Sequence, residues 1–179
     1  MTPEKVLEFW QSVGNEGWWK KDEVLDRKIV ETFLNLHREI AGGFKDEWLK
    51  TAEGTLAMII VLDQFSRNMF RGSPEAFSQD SQALGIAQHA IQNKFDDQYG
   101  GDLRIFFYLP YEHSEKIREQ ELSMRLQYSI GANPEALKAA LEHHDIIKRF
   151  GRFPHRNPVL GRHTTYAEQA FLNSGGFKG

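Results

Sequence analysis

The sequence predicts an all-α fold, and three observations carry that prediction. Cap signatures open three segments, at Ser73-Pro74, Asn133-Pro134 and Thr165-Tyr166-Ala167-Glu168. Apolar residues recur at helical rather than alternating spacing. The one short apolar run that would suit a strand, Asp102 to Leu109, has no partner strand elsewhere in the chain, so it too is read as helix. With short connections and no low-complexity stretch, the chain reads as a single domain over residues 1–179, built of seven or eight antiparallel-packed helices.

In chain order, Pro3 opens a first helix through about Ser12, and Gly14 to Gly17 end it. A second helix runs from about Asp22 to Ala41 on the stripe Leu25, Ile29, Phe33, Leu36 and Ile40, and Gly42-Gly43 stop it. A third covers about Thr51 to Phe70; Leu56 to Leu62 is apolar without a break, which predicts a central helix buried all round. Ser73-Pro74 opens a fourth helix ending near Asn93, and the Asp102 to Leu109 element is closed by Pro110. Ser114 caps a helix reaching Ile130. Asn133-Pro134 opens one through Arg149 with Gly151 just beyond, and the Thr165 capping box opens a last helix to about Asn173.

Composition narrows the function classes. Hydrophobic content of 40% and aromatic content of 12% belong to a globular chain. A net charge of −3 argues against bulk electrostatic binding of nucleic acid. Absence of Cys excludes disulfide, thiolate-metal and Cys-nucleophile chemistry. The N-terminus lacks a cationic stretch followed by an apolar one, and no apolar run approaches the roughly 18 residues of a membrane span. The expectation is a cytoplasmic protein engaging neither nucleic acid nor membrane.

Against this mildly acidic background one segment is strongly basic. From Lys148 to His163 there is no acid, but there are Lys148, Arg149, Arg152, Arg156 and Arg162, interleaved with two Phe, two Pro and two Gly. A rigid cationic loop of this kind suits recognition of an anion. The competing reading is a structural clamp, with guanidinium groups stacked on Phe150 and Phe153 and tied to Asp63, Asp80 and Glu115.

Polar residues also stand where apolar ones belong. Asp80 falls among Phe77, Leu84, Ala87 and Ile91 on the predicted inner face of the fourth helix, so it needs a partner; a buried Asp–Arg tie is the simplest. His144 sits between Leu137, Ala140, Leu141 and Ile147 on another inner face, where a lone histidine is usually a satisfied core residue. Asp63, Arg67 and Arg71 are spaced by four on the third helix, with Gln64 and Asn68 in an adjacent row. His113 and Glu115 flank a proline turn with Glu112, but no recognisable metal-binding signature accompanies them, and the side chains of His143 and His144 point about 100° apart on a helix. No metal site is therefore assigned, and no cofactor is identified. No nucleophile elbow, phosphate-binding loop or dinucleotide fingerprint is present. Trp10, Trp18 and Trp19 read as core.

The strings LDQFSRNMFRG, AFSQD, FYLPYEHSE, RFGRFPHRN and GRHTT, in this order, resemble the mainly bacterial family known as domain of unknown function 924. The resemblance runs from LEFW near the start to the TYAEQAFL helix. It departs in the proline-turn motif, where Tyr111-Glu112 stands before His113 in place of an expected Met. It implies a helical, tetratricopeptide-like fold, and it supplies no established activity, substrate or cofactor. The family's motif positions coincide with Asp63, Gln64, Arg67, Asn68, Asp80, His113, Glu115, Arg152, His155, Arg156 and Asn157.

Two functions follow as expectations. In the first, these motifs converge on a polar pocket for a small anionic ligand, bound by Gln64, Arg67, Asn68, Arg152, Arg156 and Asn157. Any catalysis there would use His113, His144 or His155 as acid–base, oriented by Asp63, Asp80 or Glu115. In the second, the chain is a tetratricopeptide-like scaffold for a peptide, and the same motifs form a structural polar network.

Overall fold

The computed structural model describes residues 1–177 and 179, and no strand occurs among them. Contacts divide the chain into two compact units. The first is Met1–Arg71 with Glu75–Pro110; the second is Gly72–Pro74 with Tyr111–Gly179.

In the first unit, helix α1 (Pro3–Trp18) begins at a proline whose missing N–H costs nothing there. Gly14, at φ 74° and ψ 165°, leaves helical geometry and interrupts it where the sequence suggests, and a short second helical stretch follows across the kink to Trp18, whose indole N–H donates to the Trp10 carbonyl at 2.7 Å. Trp10 is core as expected, whereas Trp19 is 51% exposed. Helix α2 (Glu23–Ala41) is capped by the Asp22 carboxylate, which accepts from the N–H groups of Val24 and Leu25. It buries Ile29, Phe33, Leu36, His37 and Ile40.

After a 3-10 turn (Asp46–Lys50), the Thr51 hydroxyl caps α3 (Ala52–Ile59). This helix continues through a π-helical stretch (Ile60–Phe65) into α4 (Ser66–Met69). Residues 54 to 66 are all buried, so the unbroken apolar run is indeed the central element. It packs against α1, α2 and α5 (Asp80–Gln92). Side chains compete for its carbonyls at the π stretch. Ser66 Oγ donates back to the Leu62 carbonyl, and Arg67 Nη1 donates to the Asp63 carbonyl at 2.9 Å. Back-bonding of this kind loosens the regular ladder and favours the wider turn.

The fourth helix starts later than the Ser73-Pro74 signature implies. Pro74–Phe77 forms a 3-10 turn, and α5 begins at Asp80. Its buried face is Ala83, Ile86, Ala87 and Ala90; Phe77, Leu84 and Ile91 are only half-buried. The segment read as a helix closed by Pro110 is a 3-10 helix (Gly101–Phe107). The short α6 (Leu109–Glu112) then contains that proline in its first turn, where a proline is tolerated.

In the second unit, α7 (Ile117–Ser129) and α8 (Pro134–Phe150) pack as a hairpin. Ser114 lies ahead of α7, and its hydroxyl accepts from the Lys116 N–H. Asn133 caps α8 through the Ala136 N–H at 2.8 Å, and Gly151 ends it at φ 70°, a conformation glycine adopts without strain. The Thr165–Glu168 capping box is complete at the start of α9 (Tyr166–Asn173), which packs on a 3-10 turn (Pro154–Arg156). Ile146, Ile147 and Phe153 form this unit's core, with Phe150, Phe171 and Phe177 against it.

The rod formed by α3, the π stretch and α4 counts as one helix. Among the described residues the architecture is thus seven helices and the single turn α6, within the predicted range. No helix among them is long and apolar enough to cross a membrane.

Candidate functional site

The predicted residues fall into two sets, one in each unit. Asp63, Gln64, Arg67, Asn68 and Asp80 belong to the first unit, and His113, Glu115, His144, Arg152, His155, Arg156 and Asn157 to the second.

In the first unit the expected Asp–Arg tie is present. Arg67 forks onto Asp80, with Nη1–Oδ1 at 2.9 Å and Nη2–Oδ2 at 3.2 Å, and lies 3.3 Å from Asp63 Oδ1. Burial alone would lower the pKa of this guanidinium; the two carboxylates outweigh that and raise it. Asp63 is fully buried and accepts from Gln64 Nε2 at 2.7 Å. Asp80 occupies the first turn of α5 instead of the inner face of a longer helix. A carboxylate is favoured at that end by the exposed N–H groups. The row of three predicted along the helix does not hold beyond Arg67. Arg71 turns to α2 and grips Asp26 with Nε and Nη2 at 2.9 and 3.0 Å, and Asn68 donates to the same carboxylate at 2.7 Å. Hydrogen bonds from Arg71 and Asn68 hold Asp26 below the usual carboxylate range, although burial opposes them. The chain leaves helical geometry at Phe70, so spacing by four no longer keeps Arg71 on the same face.

In the second unit, two of the basic segment's five cations, Arg152 and Arg162, form forked pairs with carboxylates. Arg152 binds Glu168 through Nε and Nη2 at 2.6 and 2.9 Å and also donates to the His163 carbonyl. Arg162 forks onto Glu115 at 2.7 and 3.0 Å and reaches Asn157 Oδ1 and the Phe153 carbonyl. Glu115 Oε1 also accepts the Phe153 N–H at 2.8 Å. Burial pushes the Glu115 carboxyl up, and these donors bring it below its ordinary value. Arg149 stacks over Phe150 at 4.6 Å, and Arg156 over Phe153 at 4.5 Å. Of the three carboxylates considered as clamp partners, Glu115 takes this role within the unit; Glu168 was not among them.

Arg156 lies deeper than Arg152 and Arg162: it is buried, and its Nη2 donates to the His113 carbonyl at 3.1 Å. Two imidazoles lie against its stacking partner Phe153, and a third lies near one of them. His143 lies 5.4 Å from Phe153 and His155 5.6 Å, and His113 is 6.3 Å from His143. Phe177 closes against His143 and His155 at 4.5 and 5.1 Å. His143 Nδ1 faces the Ala139 carbonyl at 2.8 Å and Glu112 Oε1 at 3.4 Å. Those acceptors favour a proton on Nδ1 and leave Nε2 as the basic nitrogen. Glu112 is in turn held by Gln127 Nε2 at 2.6 Å. Among the described residues no group of three or more His, Asp and Glu is arranged to hold a metal ion.

A family model described as bacterial protein of unknown function, DUF924, matches residues 6–176. The chain belongs to that family. A solved structure similar to it, that of a protein of unknown function from Agrobacterium tumefaciens, shares 39% identity over 97% of each chain, with a TM-score of 0.93. No curated protein matches. The family's motifs thus resolve, in this member, into the ion pairs and the imidazole cluster just described.

The histidine on the inner face of α8 is His143. Leu141, placed on that face by the sequence, is 51% exposed; the buried positions are Ala140, His143, Ile146 and Ile147. His144 is half-buried and pairs with its neighbour Asp145 at 3.1 Å. The sequence reading also missed Gln120, Ser123 and Gln127, all fully buried on α7. Gln120 Nε2 donates to the carbonyls of Glu112 and Ser114, and Gln127 Nε2 to Glu112 and Ser123. A signal was present in their spacing, i, i+3, i+7, which is the stripe normally occupied by apolar residues.

The Arg152–Glu168 pair has a pH signature. Arg152 and the Thr165 N–H and hydroxyl hold the Glu168 carboxyl at about 2, against 4.5 ordinarily. Because the folded value is depressed, the stabilisation is complete above 4.5 and is lost as pH falls toward about 2. Thermal melts across that window should show the melting temperature of the wild type falling with acid and a shallower fall for Arg152→Ala. Parallel curves would mean the pair does not hold Glu168.

Proposed function

We propose that the second unit binds a small anion, a phosphate or carboxylate group, at the cluster of Arg156, His113 and His155. The observation carrying this reading is the gathering of the Arg156 guanidinium and the His143 and His155 rings around Phe153, with the His113 ring 6.3 Å from that of His143. Guanidinium and imidazolium groups donate several charge-assisted hydrogen bonds to an oxyanion, and partial burial strengthens each of them. His113 and His155 are half-buried. Glu112 and Gln127 act behind the site by fixing the ring of His143. Asn157 supports it through Arg162.

The test is a thermal-shift series with inorganic phosphate, phenyl phosphate and acetate. An anion at ~100 times its dissociation constant adds about 2.7 kcal/mol, or roughly 5–10 °C for a chain of this size. The expected result is a shift in wild type that is lost in the His113→Gln, His155→Gln double variant and kept in Arg152→Ala. Absence of any shift with all three anions, or a shift unchanged in the double variant, overturns the reading.

A further inference from the structure

The first unit holds a concavity apart from the polar clusters described above. It lies between α1 and α2, has a volume of about 290 Å3, and is lined by Phe9, Val13, Leu25, Lys20, Asp22 and Lys28, among others. We propose that it is a binding site for a small carboxylate with an apolar body, of the size of benzoate or hexanoate.

Size, floor and charge support this independently. The volume is at the lower end of the range for ligand pockets, which suits a compact molecule. Phe9, Val13 and Leu25 are half-buried, so apolar surface remains for a ligand to cover. The kink at Gly14 lies between the lining residues Val13 and Gly17. Gly17, which also lines the space, carries no side chain to fill it.

Charge at the mouth then selects the head group. Lys28 Nζ stands over the Phe9 ring, 5.4 Å from its centre, so a cation sits directly above this part of the apolar floor. Lys20 is a second cation on the rim; its one ion pair, with Glu16, is made between two largely exposed side chains and is weak. The single acid in the lining, Asp22, faces the start of α2, where its carboxylate accepts from the Val24 and Leu25 N–H groups at 2.7 and 3.2 Å. An apolar body on the floor therefore places a carboxylate between two ammonium groups. A neutral analogue would lose that contact, and a cationic one would meet like charge.

Isothermal titration of the full chain with benzoate and hexanoate, each paired with its neutral amide, tests this. The expected result is roughly millimolar or tighter binding of at least one acid, at least about tenfold weaker binding of its amide, and a similar loss in the Lys20→Gln, Lys28→Gln double variant. Preference for benzoate would assign a flat aromatic body, and preference for hexanoate an aliphatic chain. Both lysines are exposed, so the double variant should fold as wild type does, checked by its melting temperature. Failure of both acids to bind, equal binding of acid and amide, or unchanged binding in the double variant overturns the proposal. Binding that persists in the His113→Gln, His155→Gln variant separates this site from the one in the second unit.

Discussion

Gly54→Ala should destabilise the protein by about 3 kcal/mol or more and lower its melting temperature by roughly 6–12 °C. Helix propensity alone predicts the opposite sign, because alanine is favoured over glycine inside a helix by about 1 kcal/mol. Packing decides the outcome. A Cβ at Gly54 would fall inside van der Waals contact with the carbonyl O, carbonyl C and Cα of Trp48. Those are backbone atoms of the 3-10 turn, which cannot swing aside as a flexible side chain would. The turn would have to lift from α3, taking the buried Trp48 with it and straining the adjacent Thr51 cap. Gly85→Ala is the matching control. Gly85 also lies within a helix, but nothing stands within 4 Å of its added Cβ, so propensity should prevail and stability should rise by up to about 1 kcal/mol. Melting curves of the two variants should move in opposite directions. A stabilised Gly54→Ala protein would show that the 46–50 turn is not seated against α3.

Glu115→Ala should cost about 2–4 kcal/mol. The carboxylate accepts three hydrogen bonds, two from Arg162 and one from the Phe153 N–H, and its removal leaves a partly buried guanidinium without its counter-charge. The effect should concentrate in the loop from Gly151 to Arg162, where amide exchange should quicken more than in α8. Glu115→Gln keeps the shape but turns an NH2 group toward Arg162, and should fall between alanine and wild type. In a double-mutant cycle with Arg162→Ala, the two losses should be strongly less than additive. Additive losses would mean that the pair does not act as one unit.

Much of the fold was legible because it rests on local rules. Asn133 before Pro134, Thr165 with Glu168, and Gly151 after a run of helical residues each specify a helix end through chemistry within four residues. The burial of Leu56 to Leu62 was legible for the same reason: no face of that segment offers anything polar. Ser73-Pro74 misled because proline's fixed φ suits a 3-10 turn as well as an α-helix. The candidate site was less legible. His143 and His144 differ by one position and about 100° of rotation. A stripe drawn through Leu141 selects His144, whereas Ala140, His143 and Ile147 form an equally regular stripe only if a histidine is allowed inside it. Partners were least legible of all. Asp26 and Arg71 are 45 residues apart, and Glu115 and Arg162 are 47 apart; no spacing rule joins them.

The π-helical stretch has a consequence for how this chain tolerates changes in length. From Ile60 to Phe65 the backbone carries a wider turn than the α-helix on either side. A π turn closes i→i+5 bonds and so holds one residue more than an α turn; deleting one residue there would restore the regular turn and leave the helix beyond it facing nearly as before. Arg67 would still face Asp80, and Asn68 Asp26. The same deletion in the α-helical turns of α3 would rotate both away from their partners by about 100°. Surface connections absorb insertions and deletions readily; within this buried rod only the wide turn can do so. Related chains one residue shorter between Thr51 and Arg71 should carry a regular α-helix in place of the π stretch.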